Sequence, residues 1–270
     1  MNEFLPSRYV ESVARLALGI ECQDALRRGR IGWPIEVTLD GTPRPLPAAR
    51  RSPGESPWSE PTVLRVIGRK DSCRHLLIVE RGVRDPVVIR ILDATQRFAP
   101  RRLAIRLPDP VTLGRQVRPV LHAGAAYPVP AGAVGIRGRV LRDGEPMRWA
   151  RVEAHRTTDD VLIGRGAGDE HGEFVLLLDP EASRGADLVL PLTVRVTVFG
   201  PDTQPDPDDF PEPEIDPLWD LPVEEAAITP AGEAVLAGES LPAGYVSRPG
   251  SIREVDFSWH GLVREQFDFS

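Results

Sequence analysis

Apolar side chains occupy every second position in many short stretches of this chain, with charged or hydroxylated residues between them. Leu103, Ile105 and Leu107 alternate with Arg102, Ala104 and Arg106, and Val194, Val196 and Val198 alternate with Thr193, Arg195 and Thr197. Successive side chains of a strand point to opposite faces, so a period of two predicts strands with one buried face. The pattern predicts strands over 15–21, 35–39, 62–68, 75–80, 87–92 and 102–107, and again over 135–141, 149–155, 161–167, 173–178 and 192–199. Helical spacing is poor throughout. Residues 9–18 fit one or two turns, but Leu16, Leu18 and Ile20 alternate, and a strand is preferred there. In the tail, Ile252, Val255, Phe257 and Trp259 restore the alternation, so a final strand is expected, in this chain's sheet or another chain's.

Turn chemistry separates these runs. The chain holds 28 prolines and 24 glycines in 270 residues, which suits an all-β fold. The expected architecture is two β-sandwich domains, Ig-like or prealbumin-like, joined by a Pro-rich linker and followed by an irregular acidic C-terminal extension. The divisions fall at 1–107, 108–132, 133–199, 200–250 and 251–270. Within the first unit, 41–61 is rich in Pro, Ser and Arg and reads as a long surface loop. Over 108–132, the pairs Asp109-Pro110, Arg118-Pro119 and Tyr127-Pro128 push the residue before each proline toward extended geometry, as a stiff linker requires. Carboxylates such as Asp202, Asp206, Asp208, Asp209 and Asp216 lie among prolines over 200–222. Such a segment buries little on its own and is expected to act as a connector or strap. Leu218, Trp219 and Leu221 are expected to pin it, with Arg97, Arg101, Arg102 and Arg106 as its basic counterpart.

Charge removes several functions from consideration. With 33 basic and 40 acidic residues the formal net charge is −7, so no general attraction for nucleic acid is expected. Lys70 is the one lysine, and the arginines are dispersed. Cys22 and Cys73 lie in unrelated contexts, so two buried thiols are expected, not a zinc cluster or a disulfide framework. Glu3 and Glu11 stand where a signal peptide carries positive charge, and no run is long enough to span a bilayer. Cytoplasmic synthesis without membrane insertion is therefore expected, with later release as part of a particle left open.

One region carries a family pattern. Gly135-Ile136-Arg137-Gly138-Arg139-Val140, then Gly144-Glu145-Pro146, Ala150-Arg151-Val152, Gly164-Arg165 and Asp169-Glu170-His171-Gly172-Glu173-Phe174 resemble the carboxypeptidase regulatory-like family of prealbumin-like sandwiches, over about 133–199. The resemblance implies a noncatalytic scaffold that binds, spaces or supports neighbouring domains. Met147-Arg148-Trp149 departs from the pattern, where small residues are common. The order of parts also resembles accessory proteins of phage-tail-like contractile injection systems: a β-rich N-terminal unit ending Arg101-Arg102-Leu103, a Pro-rich link, then this sandwich. That resemblance implies a structural or adaptor subunit whose partners are other protein subunits.

Chemistry-bearing residues do not assemble into a recognised motif. His75, His122, His155, His171 and His260 lack the close spacing of a zinc site, and no Gly-x-Ser-x-Gly elbow occurs. The acidic stretch has prolines where a calcium loop places alternate ligands. No catalytic residue, metal ligand or cofactor is therefore expected. In the hairpin over 168–178, Asp169 and Gly172 shape the turn, Phe174 and Leu176 enter the core, and His171 stays exposed at the tip. The candidate interaction residues are Arg148, Trp149, Trp219 and Trp259, with Trp149 expected to project from a regular strand. Tryptophan and arginine anchor interfaces. The same tryptophans offer stacking surfaces for sugars, so the alternative reading is a carbohydrate- or surface-binding adhesion module.

Overall fold

The computed structural model describes residues 15–40, 64–69, 74–79, 86–106, 116–178, 191–209, 216–226, 236–237, 241–258 and 261–269. The chain is all-β: among the described residues the only helical element is a single 3-10 turn, Pro207–Asp209. The 41–61 loop, Cys73, Trp259 and His260 lie outside the described residues.

Strands are numbered in chain order and form four sheets. In the first, β1 (Arg15–Glu21) pairs antiparallel with β5 (Arg74–Val79), and β5 with β4 (Leu64–Arg69). The other edge of β1 is parallel to β8 (Gln116–Leu121), which also takes β2 (Gln23–Asp24) and β16 (Leu236–Ala237) in parallel. In the second sheet, β3 (Glu36–Leu39), β6 (Val87–Leu92) and β7 (Arg101–Ile105) are antiparallel, and β15 (Val223–Ala226) joins β7 in parallel. The third is built on β9 (Gly135–Arg142). It pairs antiparallel with β10 (Glu145–Pro146) and β13 (Glu173–Leu177), and parallel with β18 (Leu262–Asp268). The fourth is antiparallel throughout: β12 (Leu162–Ala167), β11 (Arg151–Arg156), β14 (Leu192–Pro201) and β17 (Tyr245–Phe257).

Every sheet thus receives one strand from beyond residue 220: β16, β15, β18 and β17 in turn. The sequence suggested a strap and one final strand there, and Ile252, Val255 and Phe257 of that expected strand lie in β17. A parallel pair needs a long crossover, and between β7 and β15 the chain runs through β8 to β14. Within the expected linker, Gln116–Leu121 is a strand, because Val117, Pro119 and Leu121 alternate inward with Arg118 outward. Pro119 sits in a parallel ladder beside the short β16, where a missing N–H is tolerated.

Buried apolar side chains gather in two clusters. The first holds Leu18, Leu77, Ile89, Leu103, Val117 and their neighbours, and the second Ile136, Val152, Phe174, Val196, Phe257 and Phe267. Strand β13 belongs to both. Phe174 and Leu176 enter the second cluster, whereas Val175 and Leu177 enter the first, and all four are buried. A continuous apolar run is what a strand covered on both faces requires.

The turn after β9 places Asp143 and Gly144 at φ 52° and 84°, as a two-residue hairpin turn with positive φ at both central positions demands. Gly138 faces a different constraint. A Cβ there stands 2.5 Å from the Phe174 ring and 2.8 Å from the Glu265 carbonyl oxygen. The ring is wedged against Phe267 at 5.9 Å and has little room to yield. Gly138→Ala is expected to cost about 1–3 kcal/mol by overpacking, measured by urea unfolding.

Candidate functional site

Where the two clusters meet, charged groups from distant parts of the chain converge. Arg101 on β7 and Arg151 on β11 both bond to Glu224 on β15, the second through a 2.6 Å contact from its terminal nitrogen to Oε1. The Glu224 and Arg101 side chains are 3% and 1% exposed, so the pairs are shielded from water. Arg101 also donates to the Val120 carbonyl, and Arg151 to those of Trp149 and Ala150. Burial pushes the Glu224 carboxyl up, but the two guanidiniums overcome it and hold the group at about 2. Beside them His122 is buried, with its Nδ1 lacking a hydrogen-bond partner. Burial, then Arg101 and Arg151, pull its imidazole down to about 3 against the opposing pull of Glu224. Tyr245 closes the group by donating from its hydroxyl to the Trp149 carbonyl at 2.9 Å, and burial raises its phenol to about 12.

Three of the expected interaction residues come together next to this cluster, around Asp220. Arg148 donates to both carboxylate oxygens, at 2.7 Å and 2.6 Å, and to the Pro217 carbonyl. Trp149 donates from its indole nitrogen to Asp220 at 2.7 Å. The Arg148 guanidinium lies 5.2 Å from the Trp149 ring and 5.8 Å from that of Trp219. The site therefore fastens the acidic segment to this chain. Trp149 does not project from a strand: β11 begins at Arg151, and Trp149 sits in the preceding turn at φ 58° with 2% of its surface exposed. A positive φ is uncommon for so large a side chain, and the buried ring is held by its bond to Asp220.

The acidic segment does find arginines, though not all those expected. Asp216 pairs with Arg90, Asp220 with Arg148, and Glu224 with Arg101 and Arg151. Arg102 instead pairs with Asp40 and reaches the Leu221 carbonyl, and Arg97 stacks on Trp33 at 4.0 Å. Asp206 is exposed and accepts from the Asp208 amide. In the hairpin, one Asp169 carboxylate oxygen accepts the amides of His171 and Glu173, both at 2.9 Å. His171 is exposed at the tip. His155 bonds to the Asp160 carbonyl and to Glu153. Among the described residues no three His, Cys, Asp or Glu side chains form a group suited to a metal ion, and no helix is long and apolar enough to cross a membrane.

A cleft of about 280 Å³ opens beside the Asp220 group, with Arg142, Met147, Trp149, Pro201, Leu221 and Tyr245 in its walls. A second, of about 240 Å³, lies between the 92–100 turn and the Asp169 hairpin. Sequence reasoning reached Arg148, Trp149 and Trp219, and named Arg101 as a basic counterpart of the acidic segment, but missed Glu224, Arg151 and His122. The signal for Glu224 was slight: Val223-Glu224-Glu225-Ala226 alternates in burial, but a glutamate occupies an inward position.

No protein-family model matches the chain, and no curated protein does. A 9R-lipoxygenase from Cyanothece PCC8801 is similar in structure over 54% of this chain at 16% identity, with a TM-score of 0.26. The match spans 17% of that enzyme's length, and a likeness of this degree decides neither fold nor chemistry.

Proposed function

We propose that this chain is a noncatalytic structural or adaptor subunit of a multiprotein assembly of the phage-tail-like contractile type. Its four sheets are read as two sandwich units, the second carboxypeptidase regulatory-like over about 133–199, with the C-terminal strands completing both. The observation that supports this reading is Glu224: one carboxylate, on a strand from the acidic segment, joins an arginine of each unit in a buried position. A buried ion pair adds little net stability over an apolar contact, but it is specific in geometry. Its value is in fixing the relation between two units, which is what a spacer between neighbouring subunits needs. Of the tryptophans considered for sugar stacking, Trp149 is enclosed and Trp219 carries an arginine on its ring, so the adhesion reading gains less support.

The test is isolation of an affinity-tagged chain from the cell that makes it, followed by mass photometry. A particle of discrete mass containing the chain at fixed stoichiometry with other subunits is expected. Recovery as a lone monomer, or binding to a glycan array, contradicts the reading.

A further inference from the structure

The cleft of about 280 Å³ has an uneven charge pattern. Three arginines line it, Arg102, Arg142 and Arg148. Arg102 is matched by Asp40 and Arg148 by Asp220. Arg142 has no such match among the described residues. One terminal nitrogen donates to the Pro201 carbonyl, the guanidinium lies 4.7 Å from the Phe269 ring, and the buried Nε has no hydrogen-bond partner. Burial, then Arg248, lower its pKa, while Asp143, Tyr245 and Asp202 act on it in the opposite sense through space. A partly buried guanidinium held this way favours an added anion, and a carboxylate suits its planar fork.

The remaining walls define the rest of the ligand. Pro146 and Pro201, half-buried, and the exposed Val223 offer apolar surface, and prolines present no N–H to a polar body. Glu145 also lines the cleft and is exposed, which disfavours a multiply charged phosphate. The volume lies just under the roughly 300 Å³ at which pockets for drug-sized ligands begin, so the fit is to one side-chain-sized group.

We propose that this cleft binds a monocarboxylate with a compact apolar body, its carboxylate on Arg142 and its body against Pro146, Pro201 and Val223. Free organic acids and the terminal residue of a polypeptide share this chemistry. The site stands independently of the assembly reading.

The test is calorimetric titration of the full chain with phenylacetate, N-acetylphenylalanine and the amides of both. The acids are expected to bind at least about tenfold more tightly than their amides, as a hydrogen-bonded charge pair implies. Whichever acid binds more tightly identifies the source, a free acid or a chain terminus. Arg142→Gln is expected to erase the preference for acid over amide, and Arg142→Lys to restore part of it. Glu145→Lys, at an exposed position where folding is not at risk, is expected to tighten acid binding. No binding of either acid at millimolar concentration, equal binding of acid and amide, or an unchanged affinity in Glu145→Lys overturns the proposal.

Discussion

Glu224→Gln is expected to destabilise the folded chain by about 3–5 kcal/mol, because it leaves two buried guanidiniums without their shared counter-charge. The substitution keeps the size of the side chain, so packing changes little and the loss reports the charge. Both arginines are fixed by other bonds, Arg101 to Val120 and Arg151 to Trp149 and Ala150, and cannot swing into solvent without breaking them. Equilibrium urea unfolding measures the effect. A change below about 1 kcal/mol, the range of exposed pairs, means the cluster is solvated in solution.

The same cluster sets an acid limit. Glu224 has its folded value depressed from 4.5 to about 2, so its contribution is complete above about 4.5 and is lost as pH falls toward 2, on the order of 3 kcal/mol in all. His122 is depressed from 6.5 to about 3. The unfolded chain takes up that proton first, so stability also declines as pH falls from 6.5 toward 3. Unfolding midpoints are expected to drop in two overlapping phases, the upper one reduced in His122→Leu to the part that His75, also lowered by burial, contributes. An upper phase undiminished by this substitution assigns it to another group.

Asp220→Ala carries the second large effect, about 2–4 kcal/mol, since it strips a bidentate arginine and a buried indole N–H of their acceptor together. Asp220 is 5% exposed and Trp149 2%, so water does not readily replace the lost bonds. The tryptophan emission is expected to shift to the red as the 216–221 segment loosens beside Trp149 and Trp219. An unshifted spectrum with unchanged stability contradicts the fastening role of Asp220.

Strands were legible wherever one face is buried and the other wet. The alternation from Arg102 to Ile105 matches β7 and that at Thr193–Val198 lies within β14, while Leu107 is outside the described residues, and Asp143-Gly144 marks its turn. Phe174 to Leu178 also held a readable sign: an unbroken apolar run, against the alternation elsewhere, signals two covered faces. Long-range parallel pairing left no such mark. Nothing local in Val223–Ala226 or Leu262–Asp268 tells that they lie beside β7 and β9, because parallel register is set by distant partners and not by a turn. Trp149 and Arg148 were named as interaction residues, but a sequence does not reveal whether such a residue's partner belongs to the same chain. Here Asp220 does. Glu224 was hidden because an inward glutamate looks like a break in the pattern until its two arginines are seen.

Differential scanning calorimetry of the wild type beside Glu224→Gln tests most directly whether one carboxylate fastens the two cores into a single body. The wild type is expected to show one cooperative transition. The variant is expected to show two, the cores now melting apart as far as their shared strand β13 allows. Two transitions in the wild type, or a variant that melts in one step at the wild-type temperature, contradict that claim.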